Sequence, residues 1–383
     1  MVLLVDEGIL TKTQTGAISA AFYLIYAPFQ IVGGVAADKY SPFNLILIGL
    51  IGSAICNFLI LFADSYRAML AIWALNGAVQ FGVWPGVFRI MSSVLSPVHR
   101  RDAIFYSMFG GTAGTVMSFV VADFTGTWKT NFVVASVVLF LCSFIWLFTS
   151  SYFVKNLDDE EAHSHGVTHL PEPKESGATH SQGKLSLFWK SGLVIMLLLL
   201  IITSMFSVGI QAVVPTMINE SYDKVSPSIA SFLGVFPVIV GVFGKFTIQA
   251  IYKKKIHNES MTLFINMTII LIPLFVMSFI GKISYWVILA MLSLIVAIAN
   301  GCTIITSTYI PLRFSSYGCT STVSGIINGM ASLGIVCSNF LSPRFADMFG
   351  GWFEVVLVWI AFSAVAAIVY FAAYIPWKKF IRQ

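Results

Sequence analysis

The chain has 383 residues, of which 57% are hydrophobic and 14% aromatic, while only 10% are charged. A water-soluble domain carries about 25% charged residues, so a soluble globule is excluded, and a mean hydropathy of +0.87 agrees. The formal net charge of +5 comes from 22 Lys+Arg against 17 Asp+Glu. These bases gather at the ends of apolar blocks rather than in a stripe interleaved with exposed aromatics, so nucleic acid is not an expected partner.

In chain order, the opening MVLLVDEGIL is too short and too acidic for a signal peptide and reads as a loop leading into the first span. Apolar blocks of about 20 or more residues follow, each long enough to cross roughly 30 Å of hydrocarbon. Eleven spans are predicted, at roughly 13–36, 42–63, 67–91, 103–124, 130–153, 191–216, 227–252, 260–281, 284–308, 319–344 and 352–376. Helices are their expected form, because an open strand leaves backbone groups unsatisfied in lipid. Pro28, Pro85, Pro215, Pro237 and Pro273 fall inside spans, where membrane helices tolerate them and transporters use them as points of flexure. The five cysteines, Cys56, Cys142, Cys302, Cys319 and Cys337, lie in or at the edge of spans without a CxxC. They read as small buried hydrophobes rather than a metal site or a disulfide framework.

Between the fifth and sixth spans lies a long polar stretch, about 155–190, that is acidic, histidine-containing and rich in Pro, Gly and Ser. Such a composition cannot bury a core and predicts a solvated linker. The expected organisation is a five-span bundle over 1–154, the linker, and a six-span bundle over 191–383. If the loop holding Lys39 is cytoplasmic and the spans alternate, fourteen Lys and Arg fall inside and six outside. That asymmetry predicts a cytoplasmic linker and C-terminus in a multi-pass protein of the cell membrane (plasma or inner).

Two stretches resemble a known family. Gly34-Val-Ala-Ala-Asp38-Lys39 follows the first span and resembles the G-x-x-x-D-R/K loop of major facilitator transporters. Gly34 permits close helix approach, and Asp38 can accept bonds from a neighbouring helix N-terminus, a contact whose breaking suits conformational gating. Further on, Asn76-Gly77-Ala-Val-Gln80-Phe-Gly82-Val-Trp84-Pro85, with Arg89 after it, is similar to the fourth helix of the organophosphate:phosphate antiporter branch, the glycerol-3-phosphate transporter-like group. His99-Arg100-Arg101 and Gly110-Gly111-Thr-Ala-Gly114 follow that branch less faithfully. The resemblance covers the first half well and the second half in hydropathy and a few glycines. It implies the major facilitator fold, two pseudo-symmetric helical bundles of six, and hence that the first helix of twelve is missing from this sequence. It also implies that Gln80, Trp84 and Tyr26 stand where relatives line a central cavity. The branch's phosphate-gripping groups are not carried over: its seventh-helix arginine falls at Ser207, its fifth-helix histidine near Gly111 and its second-helix lysine at Gln30. Its first-helix arginine would lie on the missing helix.

Lys245, about seven residues from the end of its span, is the leading candidate to bind an anionic solute group. The competing reading is a lysine that snorkels to the interface. Gln80 and Trp84 share one helical face with Asn76 a turn away, and Tyr26 and Gln30 share another with Tyr23. Both sets read either as pocket lining or as helix–helix bonds. Gln211, Asn300, Tyr309, Asn328 and Asn339 read rather as interhelical bonds. Arg89 is expected to pair with Asp38 or a carbonyl, and Gly34, Asp38, Lys39 and Arg89 together form the gating set. The linker histidines His163, His165, His169 and His180 read as part of a tether rather than a metal site. No carboxylate is placed at membrane depth, Asp123 coming nearest, which favours exchange or facilitated diffusion over proton symport. No nucleophile–base set, metal-ligand spacing or phosphate loop occurs at a plausible depth, so neither an enzyme, a metal nor a cofactor is expected. The reading is a monomeric transporter of a small polar solute, anionic before neutral, with a transport-incompetent membrane sensor on the same scaffold as the rival.

Overall fold

The structure, a computed structural model, describes residues 4, 8–95, 127–164 and 181–382, with a scatter of positions between 99 and 117. It is helical, and no strand occurs among the described residues. Contacts divide the chain into two compact units: Met1–Ala178 with Pro311–Gly329, and Thr179–Ile310 with Met330–Gln383.

The first unit begins with α1 (Lys12–Lys39), started by a capping box in which Thr11 and Gln14 bond each other's backbone. Helix α2 (Pro42–Leu59) opens on Pro42, whose missing N–H costs nothing in the first turn. Next come α3 (Tyr66–Val79), a 3-10 turn at Gln80–Gly82, α4 (Val83–Val94) and α5 (Trp128–Ser164). Helix α1 packs on α3, and α2 packs on α5. Leu4, Leu10, Ile18, Ile60, Met69 and Trp128 form a buried cluster where the chain enters α1. On the other helix pair, Trp146 of α5 donates its indole N–H to the Phe43 carbonyl at 3.1 Å, and Ser136 donates to the Ala54 carbonyl at 3.0 Å.

The second unit comprises α6 (Ser181–Lys190), α7 (Leu193–Ser204), α8 (Ile210–Ser221), α9 (Pro227–Leu233), α10 (Val235–Ile251), α11 (Glu259–Met277), α12 (Tyr285–Ile304) and α14 (Trp352–Phe380). Its principal packings are α10 on α12 and α11 on α14. Between α12 and α14 runs α13 (Thr320–Phe349), which gives its residues up to Gly329 to the first unit and the rest to the second.

Eight helices among the described residues are long and apolar enough to span a membrane, nine with one bent pair. Eleven spans are predicted, and the differences have physical causes. The third, expected over 67–91, is helical from Tyr66 to Val94 but tightens to a 3-10 turn at Gln80–Gly82. Pro85 has no N–H to offer the Phe81 carbonyl, and its ring crowds that oxygen. The sixth bends by 67° between 193–209 and 213–221, with a π turn at Met205–Gly209 and Pro215 beyond it. The fourth, 103–124, lies largely outside the described residues. The fifth helix continues to Ser164, past the expected bundle edge at 154. Positions 165–180, with His165, His169 and His180, lie outside the described residues.

Candidate functional site

Glycines bring the first unit's candidates together. A Cβ on Gly77 would lie 2.5 Å from the Phe22 carbonyl oxygen, and one on Gly33 would overlap the Phe81 carbonyl. This close approach of α1 to the third span sets Tyr26 and Gln30 beside Asn76 and Gln80. The 3-10 turn itself makes the first bond. Val83 N–H closes the 3-10 turn on the Gln80 carbonyl, and Gln30 Nε2 adds a second bond to that oxygen at 3.1 Å. Gln80 Nε2 in turn donates to Asn76 Oδ1 at 3.2 Å. From α13, Asn328 Nδ2 donates to the Tyr26 hydroxyl at 2.8 Å and to Gln30 Oε1 at 2.9 Å. Tyr26, Gln30, Asn76, Gln80 and Asn328 thus form one connected polar cluster. Gln30 is fully buried and Asn76 nearly so, while Tyr26, Gln80 and Asn328 are half-buried. Phe22 stacks on Tyr26 with ring centroids 5.6 Å apart, and half-buried Trp84 packs edge-on against Phe88. Buried amides of this kind are satisfied by one another because lipid offers no alternative.

Two turns along α1, Asp38 meets the start of α13. Its Oδ2 accepts from the Thr322 amide at 2.9 Å and from the Thr322 hydroxyl at 2.6 Å, and its Oδ1 accepts from the Ser321 amide at 3.3 Å. These amides are among the first-turn donors that a helix cannot satisfy internally, and a carboxylate also complements the dipole there. Asp38 is therefore the cap of a helix nearly 300 residues away in sequence. Small residues allow the approach: a Cβ on Gly34 would lie 2.6 Å from the Ser321 carbonyl, and one on Gly325 only 2.9 Å from Gly34 Cα. Gly325 and Gly329, spaced as GxxxG, face Gln30 and Ala27 of α1. Lys39 ends α1 exposed to solvent. Arg89 is half-buried in α4, its carbonyl taking the hydroxyls of Ser92 and Ser93, and no ion pair with Asp38 occurs among the described residues.

Lys245 belongs to the second unit, half-buried in α10. Its neighbour Gly244 lies so close to α12 that a Cβ there would overlap the Ala297 carbonyl. One turn on, Gln249 Nε2 donates to the Tyr309 hydroxyl at 3.2 Å, and the Tyr309 ring lies 4.4 Å from that of Tyr252. Tyr252 donates to Glu259 Oε1 at 2.7 Å, and Trp377 Nε1 donates to Glu259 Oε2 at 2.9 Å. Glu259 stands at a span end, as its sequence position suggests, but it is fully buried, which that position does not disclose. Ser207, where the branch has an arginine, is buried in the π turn and donates to the Ser204 carbonyl at 3.1 Å. Asn300 and Tyr309 are buried, Gln211 is half-buried and Asn339 exposed.

Two features escape the sequence reading: the partner of Asp38 and the pairing of Asn328 with Tyr26 and Gln30. The GxxxG around Asn328 is the signal that would have found the second. Among the described residues no group of three or more His, Cys, Asp or Glu is arranged to hold a metal.

The chain is similar to several known proteins. The membrane sensor protein UhpC of Salmonella typhimurium is 31% identical over 94 residues, 24% of this chain and 21% of that protein. The glycerol-3-phosphate transporter of Bacillus subtilis is 26% identical over 144 residues, 35% of this chain and 32% of that protein. The chain thus aligns with less than half the length of these relatives. The transporter FucP, solved in an outward conformation, shares the fold with a TM-score of 0.68 at 14% identity, over 95% of this chain and 91% of that one. The family profile of the Major Facilitator Superfamily matches residues 3–336, and the chain belongs to that superfamily of membrane transporters.

Proposed function

We propose that the protein is a secondary transporter or exchanger that moves a small polar, anionic organic solute, of the sugar-phosphate or organic-acid type, by alternating access. Lys245 carries the anionic assignment. An ammonium half-buried in the body of a span is a costly placement that marks a functional position, and among the described residues no other Lys or Arg of the second unit sits so far inside a helix of this kind. The likeness to a glycerol-3-phosphate transporter supports the same class. Gln80, Trp84, Tyr26, Gln30 and Asn76 are the proposed solute-facing set in the other unit. Gly34, Asp38, Lys39 and Arg89 are the proposed gating set, with the Asp38 cap on α13 as the contact that opens and closes. The bundles are taken as 1–154 and 191–383, joined by the linker 155–190, with linker and C-terminus cytoplasmic.

The test is a thermal-shift screen in detergent with sugar phosphates, inorganic phosphate, hexuronates, neutral sugars and nucleosides, since a bound ligand stabilises by mass action. A phosphate ester or carboxylate should raise the unfolding midpoint, and Lys245→Gln should remove that rise. A response confined to neutral solutes, or an unchanged response in Lys245→Gln, would sink the anionic reading. The second reading, a membrane sensor that binds without transporting, is favoured by the likeness to UhpC. Saturable ligand binding with no flux into proteoliposomes would select it.

A further inference from the structure

The C-terminal end of α14 carries a basic cavity that the proposed transport function does not use. It measures about 310 Å³ and is lined by Tyr374, Ile375, Lys378, Lys379 and Arg382. These positions recur at helical spacing on one face of α14, and Lys378 Nζ lies 5.2 Å from the centroid of the Tyr374 ring. Phe380 and Trp377 turn the other way and are buried in the unit. The volume is at the small end of the range for ligand sites and suits a headgroup rather than a large solute.

What precedes the cavity decides what kind of anion it takes. Val365, Ile368, Phe371 and Ile375 follow one another at helical spacing along α14, each between 51% and 68% exposed. Phe371 also meets the ring of Phe264 on α11, with centroids 5.1 Å apart. An apolar, outward-facing stripe therefore leads directly into three cations, with a tyrosine at the junction. A second basic run lies at the same end of the unit. Tyr252 and Trp377 bond the two oxygens of the single carboxylate Glu259, so Lys253, Lys254 and Lys255 start beside the point from which Lys378 and Lys379 start.

We infer that this end of α14 is a binding site for an anionic phospholipid, with the headgroup phosphate in the cavity of Lys378, Lys379 and Arg382 and an acyl chain along Val365, Ile368 and Phe371. A soluble phosphate would satisfy the cations but leave the stripe unused. A zwitterionic lipid would cover the stripe but bring its own ammonium to a cluster of cations. An anionic phospholipid matches both halves, and each Lys or Arg near such a surface adds to the attraction.

The test uses the full chain in detergent, titrated with phosphatidylglycerol, phosphatidylcholine or glycerol 3-phosphate while the unfolding midpoint is followed. Phosphatidylglycerol should raise the midpoint, and phosphatidylcholine should not. In Lys378→Gln/Lys379→Gln/Arg382→Gln the apparent affinity for phosphatidylglycerol should fall on the order of a hundredfold, three charges at about fivefold each. Any response to glycerol 3-phosphate should survive in that variant, because it would arise at Lys245. Loss of both responses together would make this a soluble-anion site, and an undiminished phosphatidylglycerol response would remove the site altogether. Should the triple variant not fold, Lys378→Arg/Lys379→Arg must retain the wild-type response. A photoreactive phosphatidylglycerol must also label wild-type peptide within 362–382, and labelling confined to other segments overturns the assignment.

Discussion

Each unit closes one of its helix pairs with a tryptophan, but the two indoles donate to different kinds of acceptor. In the first unit, Trp146 of α5 reaches the backbone carbonyl of Phe43, the second residue of α2. In the second, Trp377 of α14 reaches the side chain of Glu259, the first residue of α11. A backbone carbonyl is present whatever residue stands there, so the first closure asks little of the sequence at position 43. A buried carboxylate is a specific choice that needs more than one donor, and Tyr252 provides the second. The first unit places its own carboxylate differently: Asp38 is half-buried and spent on two amides and a hydroxyl at the start of α13. One unit buries its charge to hold helix ends together, whereas the other keeps its charge near solvent, where water can replace the bonds.

The largest expected effect separates the two closures. Glu259→Ala leaves the Tyr252 hydroxyl and the Trp377 indole buried without this acceptor, at about 1–3 kcal/mol for each orphaned donor. Trp146→Phe keeps a ring against Phe43 and gives up one bond, about 1 kcal/mol. Thermal unfolding of both variants in the same detergent should therefore show the greater loss for Glu259→Ala, and equal losses would erase the distinction. Next in size is Asp38→Ala, which strips the α13 cap at about 1–2 kcal/mol. The amide of Asp38→Asn retains one acceptor and should fall between. The readout is the reaction rate of a cysteine placed at Ser321, which should rise in the order wild type, Asn, Ala; an unchanged rate would show that the cap does not hold α13. The smallest effect is at Asn328→Ala, about 0.6 kcal/mol for a typical interhelical bond in a membrane protein. A midpoint drop as large as that of Glu259→Ala would mean that the amide cluster, not the carboxylate, is the stronger tie.

Much of the helical pattern is legible in the sequence, because spans of this length need only an apolar run and a polar break. The start of α2 is read to the residue, because Pro42 opens its apolar run, while α1 continues to Lys39, three residues past its expected end at 36. The 3-10 turn at Gln80–Gly82 is not read, although Pro85 is in plain view. Membrane helices tolerate proline so often that its presence does not predict whether the helix will bend, break or continue. Asp38 is recognisable as a helix-capping carboxylate from its motif, but α13 as the capped helix is not, because every helix N-terminus offers the same amides. Asn328 and Glu259 mark the deeper limit. A polar residue in an apolar run announces that it has a partner, and the identity of that partner depends on which helices the fold sets side by side.

The 3-10 turn in the third span bears on how the chain is made. Its weak point is the backbone around Phe81, where Pro85 withholds a donor; there α1 lies close, the missing Cβ of Gly33 leaving room for the Phe81 carbonyl while the Gln30 amide bonds the adjacent Gln80 carbonyl. Synthesis runs from the N-terminus, so α1 leaves the ribosome about 50 residues before the segment it meets. The residues that meet this turn are therefore made before the turn itself. A side chain at Gly33 would strike the Phe81 carbonyl and hold α1 away from it.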